Sequence, residues 1–147
     1  MIPTGRVLGV DLGSRRIGLA VSDSAQTVAT PVGAVIRSGD SDTDQRQIAS
    51  VVEEYGAVGV VVGVPLSLSG TAGPAAEYAL GEIRRLRDAL GVEVETVDER
   101  LTTRVASAGL RASGRKARRQ RDVIDAAAAA ELLQTWLSRR RAAVADK

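Results

Sequence analysis

The chain has no cysteine, no histidine and no phenylalanine, and its only aromatic residues are Trp136, Tyr55 and Tyr78. Each absence excludes a class of chemistry. Without cysteine there can be no disulfide and no thiolate zinc centre. Without histidine the commonest general base and metal ligand is gone, so Ser-His and Cys-His catalysis are impossible. An enzyme made from this sequence must work with carboxylates, which suit hard, oxygen-preferring cations such as Mg²⁺ or Mn²⁺. No apolar run approaches the roughly 20 residues of a membrane helix, so no membrane association is expected. The start, "MIPTGRVLGVD", lacks the basic region, long apolar stretch and cleavage site of a secretory signal. The simplest expectation is a cytoplasmic protein.

What is present is a chain of 147 residues, 44% of them apolar, with a formal net charge of +2. That length suffices for a single domain over residues 1–147, burying roughly 70% of its unfolded surface in a core of Val, Leu, Ile and Ala. "GRVLGVDL" (5–12) and "RIGLAVSD" (16–23) are short apolar runs around a Gly-Ser-Arg turn, which is a hairpin signal. "PVGAVI" (Pro31–Ile36) reads as a third strand. A helix carrying Ile48, Val51 and Val52 stops at Gly56. "VGVVVGVP" (Val58–Pro65) is continuously apolar, the mark of a strand covered on both faces.

Pro74 opens a long helix with Ala76, Leu80, Ile83, Leu86 and Leu90 on its apolar side, closed by Gly91. Val92–Glu99 is a fifth strand, followed by a short helix near Thr102–Leu110 and the basic loop "RASGRKARRQR". The last helix is expected from about Asp122 to Arg141. Its alanines would let it lie very close to a neighbour, and only the final residues look frayed. Three meandering strands followed by βαβ units predict one mixed α/β sheet with helices on its faces.

Two phosphate or metal motifs fail on inspection. Gly13-Ser-Arg-Arg-Ile-Gly18 has the first half of a Walker loop, but Leu19-Ala20 stand where Lys-Ser/Thr are required. Asp40, Asp42 and Asp44 alternate as in an EF-hand, yet the turn glycine is Gln45 and the twelfth position is Val51. That stretch is expected to be a solvated loop and helix cap.

Three other acidic sites stand out. Asp11 lies within the first strand, Asp98-Glu99 closes the fifth, and Asp122 and Asp125 lie one turn apart at the start of an otherwise apolar helix. Each has an innocent explanation: a strand end for Asp11, a cap for Asp98, and the helix N-terminus for Asp122. Asp125 fits such a role least, because it falls in the first turn of a helix built for burial. Together they could converge at one edge of the sheet. Two cations held there would activate water and stabilise a leaving oxygen in phosphodiester cleavage. Arg111, Arg115, Lys116, Arg118, Arg119 and Arg121 precede the acidic helix, and Arg15, Arg16 and Arg100 lie beside the other acids. Such a charge run can be a plain solvated face, or it can hold a polyanion by its phosphates.

"GVDLGSRRIGLAVSD", "VVGVPLSLSG", "VDERLTT" and "VIDAAAAAELLQTWL", in this order, together resemble the YqgF/RuvX family. These are RuvC-like nucleases of the RNase H fold, described both as Holliday junction resolvases and as pre-16S rRNA nucleases. The resemblance covers nearly the whole chain. It implies an RNase H-like mixed five-stranded sheet flanked by helices, with Asp11, Glu99 and Asp125 as the catalytic acids that ligate Mg²⁺ or Mn²⁺. Asp122 supplies a D-x-x-D spacing that resembles the paired aspartates of RuvC and is a candidate fourth ligand, and Asp98 is read as a cap or orienting group. Arg15, Arg16, Arg100, Arg115, Lys116, Arg118 and Arg119 are the candidate nucleic-acid contacts.

The resemblance implies a substrate of structured RNA, in 5′-end processing of pre-16S rRNA, or alternatively of branched DNA. Junction resolution would imply a homodimer, because two symmetric strands must be cut. Two other classes remain open: a non-catalytic RNA-binding assembly factor, and a small ATP-binding module. "GVDLGS" also resembles the first phosphate loop of the actin and sugar-kinase group, but this chain has length for only one of their two domains.

Overall fold

A computed structural model of the protein describes residues 1–65, 73–99 and 117–145, with the side chains of 117–119 and 145 outside that set. Its elements are β1 (Val7–Leu12), β2 (Arg16–Ser22), β3 (Ala29–Ile36), α1 (Ser41–Tyr55), β4 (Gly59–Val64), α2 (Pro74–Ala89), β5 (Glu93–Asp98) and α3 (Ala117–Ala145). The strands form one sheet in the order β3-β2-β1-β4-β5. The first three pair antiparallel, and β1–β4 and β4–β5 pair parallel. This is the expected meander followed by crossovers.

Strand alternation decides what each face of the sheet meets. Leu8 and Val10 of β1, Ile17 and Leu19 of β2, and Val60 and Val62 of β4 pack with Ile48, Val52, Ile83 and Leu86 of α1 and α2. Val7, Ala20, Val61 and Val97 face the other way, onto Ala129, Leu133, Trp136 and Leu137 of α3. Every residue of β4 is buried, as a central parallel strand between two helical layers requires. The alanine-rich helix does come unusually close. A Cβ on Gly9 would stand 2.8 Å from Leu133 Cβ and 3.0 Å from the Ala129 carbonyl oxygen.

Local signals account for most element ends. Gly56 ends α1 in the left-handed region at φ 61°, and Pro74 sits in the first turn of α2. Asp23 closes the β2–β3 turn. Its Oδ1 accepts from the amides of Thr27 (2.7 Å) and Val28 (3.0 Å), and its Oδ2 accepts from the Thr27 hydroxyl. The Thr27 hydroxyl, with those two amides, holds the Asp23 carboxyl down at about 2.

Two expectations are corrected. Asp44 is not solvated: it is 5% exposed, and its Oδ1 accepts from the amide (3.0 Å) and hydroxyl (2.9 Å) of Ser38. And α3 begins at Ala117, five residues ahead of the expected start, so Asp122 and Asp125 lie beyond its first turn. The helix N-terminus therefore does not account for Asp122, since that field fades within one turn. The expected helix near Thr102–Leu110 and most of the basic loop lie outside the described residues.

Candidate active site

Two glycines frame Asp11. In the antiparallel β1–β2 ladder Asp11 stands opposite Gly18, so its side chain and the Gly18 Cα hydrogen that replaces a Cβ point to the same face, the one covered by α3. A Cβ on Gly18 would lie 2.1 Å from the Asp125 carbonyl oxygen. The α3 backbone thus rests directly on β2 at Asp125, beside Asp11. On the other side, Val10 pairs with Val62 in the parallel β1–β4 ladder, and Asp11 and Gly63 are the next residues along each strand. A Cβ on Gly63 would lie 2.8 Å from Glu99 Oε1. The Glu99 side chain therefore folds across β4, in the space Gly63 leaves, toward β1.

Neighbouring strands are spaced about 4.8 Å apart, so Asp11 on β1, the Asp125 backbone over β2 and the Glu99 side chain over β4 lie on one face across three adjacent strands. They gather at the carboxyl ends of the parallel strands, the usual location of sites in open α/β sheets. Local sequence places each acid on its element. The glycines opposite them decide that the three can approach.

Arg16 completes the cluster. It lies on β2 two residues before Gly18, hence on the same face. Its Nε donates to Asp125 Oδ2 at 2.8 Å and stands 3.9 Å from Asp122 Oδ1. The Arg16 side chain is 19% exposed and that of Asp125 30%, so this pair is partly shielded from water. Asp122 and Asp125, three residues apart on α3, both face it. Arg16, expected to contact phosphate, is already engaged by the acids.

A second arginine, which sequence reasoning passed over, fastens the turn between Asp11 and Arg16. Arg37 follows β3; its Nε donates to the Gly13 carbonyl at 2.6 Å, and its amide donates to the Arg15 carbonyl at 2.9 Å. Its Nη1 and Nη2 donate to the two carboxylate oxygens of Glu82, at 2.8 and 3.1 Å, in a bidentate pair. Buried Asp44 lies 4.0 Å from Nη1. Burial works against the Arg37 charge, but Glu82 outweighs it and raises the guanidinium above its usual range. The signal was legible: Glu82 sits within the apolar stripe of α2, between Ala79 and Leu86, where an unpaired acid would be costly.

Among the other expected residues, Arg15 is exposed on the β1–β2 turn. It lines a cleft of about 470 Å³ with Ser14, Arg37 and Tyr78. Asp98 ends β5 opposite Val64. Arg100, Arg115 and Lys116 lie outside the described residues, and Arg118 and Arg119 fall in the first turn of α3 with side chains outside that set. The donor set of Asp11, Glu99, Asp125 and Asp122 is hard oxygen throughout, which suits Mg²⁺ or Mn²⁺. Arg16 already balances part of the charge of the two α3 acids. Among the described residues no three acids stand close enough to share one ion as they are oriented.

The family model described as "RuvX: Holliday junction resolvase" matches residues 5–139. The chain belongs to the RuvX family. A RuvX relative from Anaeromyxobacter dehalogenans, named "Putative pre-16S rRNA nuclease", is 50% identical over 135 residues, covering 92% of this chain and 98% of its own. One from Mycobacteroides abscessus, with the same name, is 47% identical over 138 residues, covering 93% and 83%. Among solved structures, Thermus thermophilus RuvC in complex with a Holliday junction substrate superposes with a TM-score of 0.59 at 18% identity, covering 93% of this chain and 96% of that one. The mixed five-stranded sheet is thus the RNase H-like fold of RuvC. No helix among the described residues is long and apolar enough to cross a membrane.

Proposed function

We propose that this RuvX chain is a metal-dependent nuclease, a single domain that hydrolyses phosphodiester bonds in cytoplasmic maturation of the 5′ end of pre-16S rRNA. The observation that carries the reading is the glycine frame around Asp11. Gly18 admits the α3 backbone at Asp125, and Gly63 admits the Glu99 side chain, so both acid-bearing segments lie against the strands on either side of Asp11. The names of the two relatives supply the substrate.

Asp11, Glu99 and Asp125 would hold Mg²⁺ or Mn²⁺, with Asp122 as a fourth carboxylate. When bound, such ions stabilise negative charge on the attacking and departing oxygens of a phosphodiester, chemistry that needs no histidine. The protein's own contribution is positional. β1 and β2 hold Asp11 in register, α3 presents Asp122 and Asp125 together, and the Arg37–Glu82 pair fastens the intervening turn. Asp98 orients the strand end that carries Glu99. Exposed Arg15, with Arg100, Arg115, Lys116, Arg118 and Arg119, would grip the substrate through its phosphates, so affinity should fall steeply with salt.

The test is cleavage of a pre-16S 5′-end RNA and of a four-way DNA junction with Mn²⁺, comparing wild type with Asp11→Asn and Asp125→Asn. The expected result is RNA cleavage that both substitutions abolish. Equal activity in the variants overturns the mechanism, and salt-sensitive binding without cleavage would make the chain an assembly factor. A second reading, junction resolution, is favoured by the description of the family. It requires a homodimer and symmetric cleavage of the DNA junction.

A further inference from the structure

We infer that Arg16 is a built-in countercharge for the Asp122–Asp125 pair, and that a divalent cation reaches Asp125 only by displacing it. This rests on the proposed role of Asp125 as a metal ligand. Three observations carry it. First, the close contact of Gly18 with the Asp125 backbone fixes α3 where the Asp125 carboxylate meets β2. On that face of β2, the residue next to Gly18 toward the turn is Arg16. Second, Arg16 Nε holds Asp125 Oδ2 at 2.8 Å in a partly shielded position, and Asp122 lies 3.9 Å away. One guanidinium thus offsets two carboxylates that would repel each other three residues apart on a helix. Third, no group of three acids among the described residues is placed to hold one ion, so a cation arriving at Asp125 meets no ready ligand set and competes with the Arg16 guanidinium for Oδ2.

Arg16 is therefore a positioning residue. It keeps the acids of α3 paired and raises the cation concentration needed to load the site. A charge-assisted hydrogen bond of this kind corresponds to about a tenfold change in cation affinity.

The experiment is Mn²⁺ binding to the full chain without nucleic acid, read from the electron paramagnetic resonance of free Mn²⁺. Arg16→Gln removes the charge but keeps a donor of similar reach, and should bind Mn²⁺ about tenfold more tightly than wild type. Arg16→Lys keeps the charge and should stay close to wild type. A merely architectural role for Arg16 predicts the opposite for Arg16→Gln, because a loosened α3 would weaken binding. Affinity equal to or weaker than wild type in folded Arg16→Gln overturns the inference.

If Arg16→Gln does not fold, wild type still decides. The Arg16 Nε–H resonance should shift toward that of a solvated guanidinium in step with Mg²⁺ loading, and a resonance unchanged at saturation overturns the inference. Asp125→Asn separates the two levels. If it binds Mn²⁺ as well as wild type, the metal-site reading falls and the role of Arg16 with it. If it loses Mn²⁺ while Arg16→Gln is unchanged, only the inference about Arg16 falls.

Discussion

Adding one methyl group at Gly18 should do more damage than its size suggests. A Cβ there would lie 2.1 Å from the Asp125 carbonyl oxygen, against an ordinary C···O approach of about 3.3 Å. The helix or the strand must therefore give way by about 1.2 Å. The obstacle is backbone, so no side-chain rotation relieves it. Overpacking of this kind costs about 1–3 kcal/mol. Against it, replacing glycine in a strand recovers about 0.5–1 kcal/mol of backbone entropy. For Gly18→Ala the net is about 0.5–2 kcal/mol, or a melting temperature lower by roughly 1–8 °C for a domain of this size.

The functional cost is larger, because the displaced segment carries Asp125 away from Asp11. A misplacement of about 1 Å in a catalytic constellation can cost about 100-fold in rate. Thermal denaturation followed by dichroism, with RNA cleavage measured well below the melting transition, checks both numbers. Gly81→Ala is the matched control: it lies inside α2 with open space around it, and should gain up to about 1 kcal/mol from helix propensity. A Gly18→Ala protein that melts and cleaves like wild type would refute the glycine-frame argument.

Three further outcomes follow from the geometry. Glu82→Gln leaves the half-buried Arg37 guanidinium without its charged partner and should destabilise the protein by about 2 kcal/mol, lowering its melting temperature by roughly 4–8 °C. Thr27→Val removes the hydroxyl that does most to depress Asp23, so the Asp23 carboxyl should rise from about 2 toward the usual 3.8 in a carbon-13 pH titration, the two amides still holding it below that value. Because the folded value lies below the unfolded one, Asp23 stabilises the fold above about pH 4 and loses that contribution as pH falls toward 2; the variant should show a smaller acid-side loss. Gly56→Ala forces a side chain into the left-handed region and should cost about 1 kcal/mol, visible as a melting temperature roughly 2–4 °C lower with cleavage unchanged.

Much of the fold was legible in order along the chain, because the signals involved are local. The apolar runs around Gly13, the continuous valines of β4, the stop at Gly56 and the start at Pro74 each act within a few residues. Boundaries slipped where a local signal was weak or competed with another. Pro31 marked the third strand, but pairing extends it back to Ala29 past an irregularity in register between Leu19 and Ala20. Arginine and glutamine are good helix formers, so α3 runs back to Ala117 through residues read as loop. Asp44 looked like one of three surface acids until the Ser38 backbone and hydroxyl took it inside.

The sequence by itself determined which chemistry was open. With no histidine or cysteine it left carboxylates as the working groups, and it put Asp11, Glu99, Asp122 and Asp125 on identifiable strand and helix positions. The tertiary structure decided who meets whom. The Arg16–Asp125 bond spans 109 residues and the Arg37–Glu82 pair 45, separations at which neither hydrophobic period nor turn chemistry carries information. Glycine, silent in a pattern of apolar and polar residues, gains its meaning only when another element lies against it. At Gly18 that element is α3, at Gly63 it is the Glu99 side chain, and the two contacts set Asp125 and Glu99 over the strands on either side of Asp11.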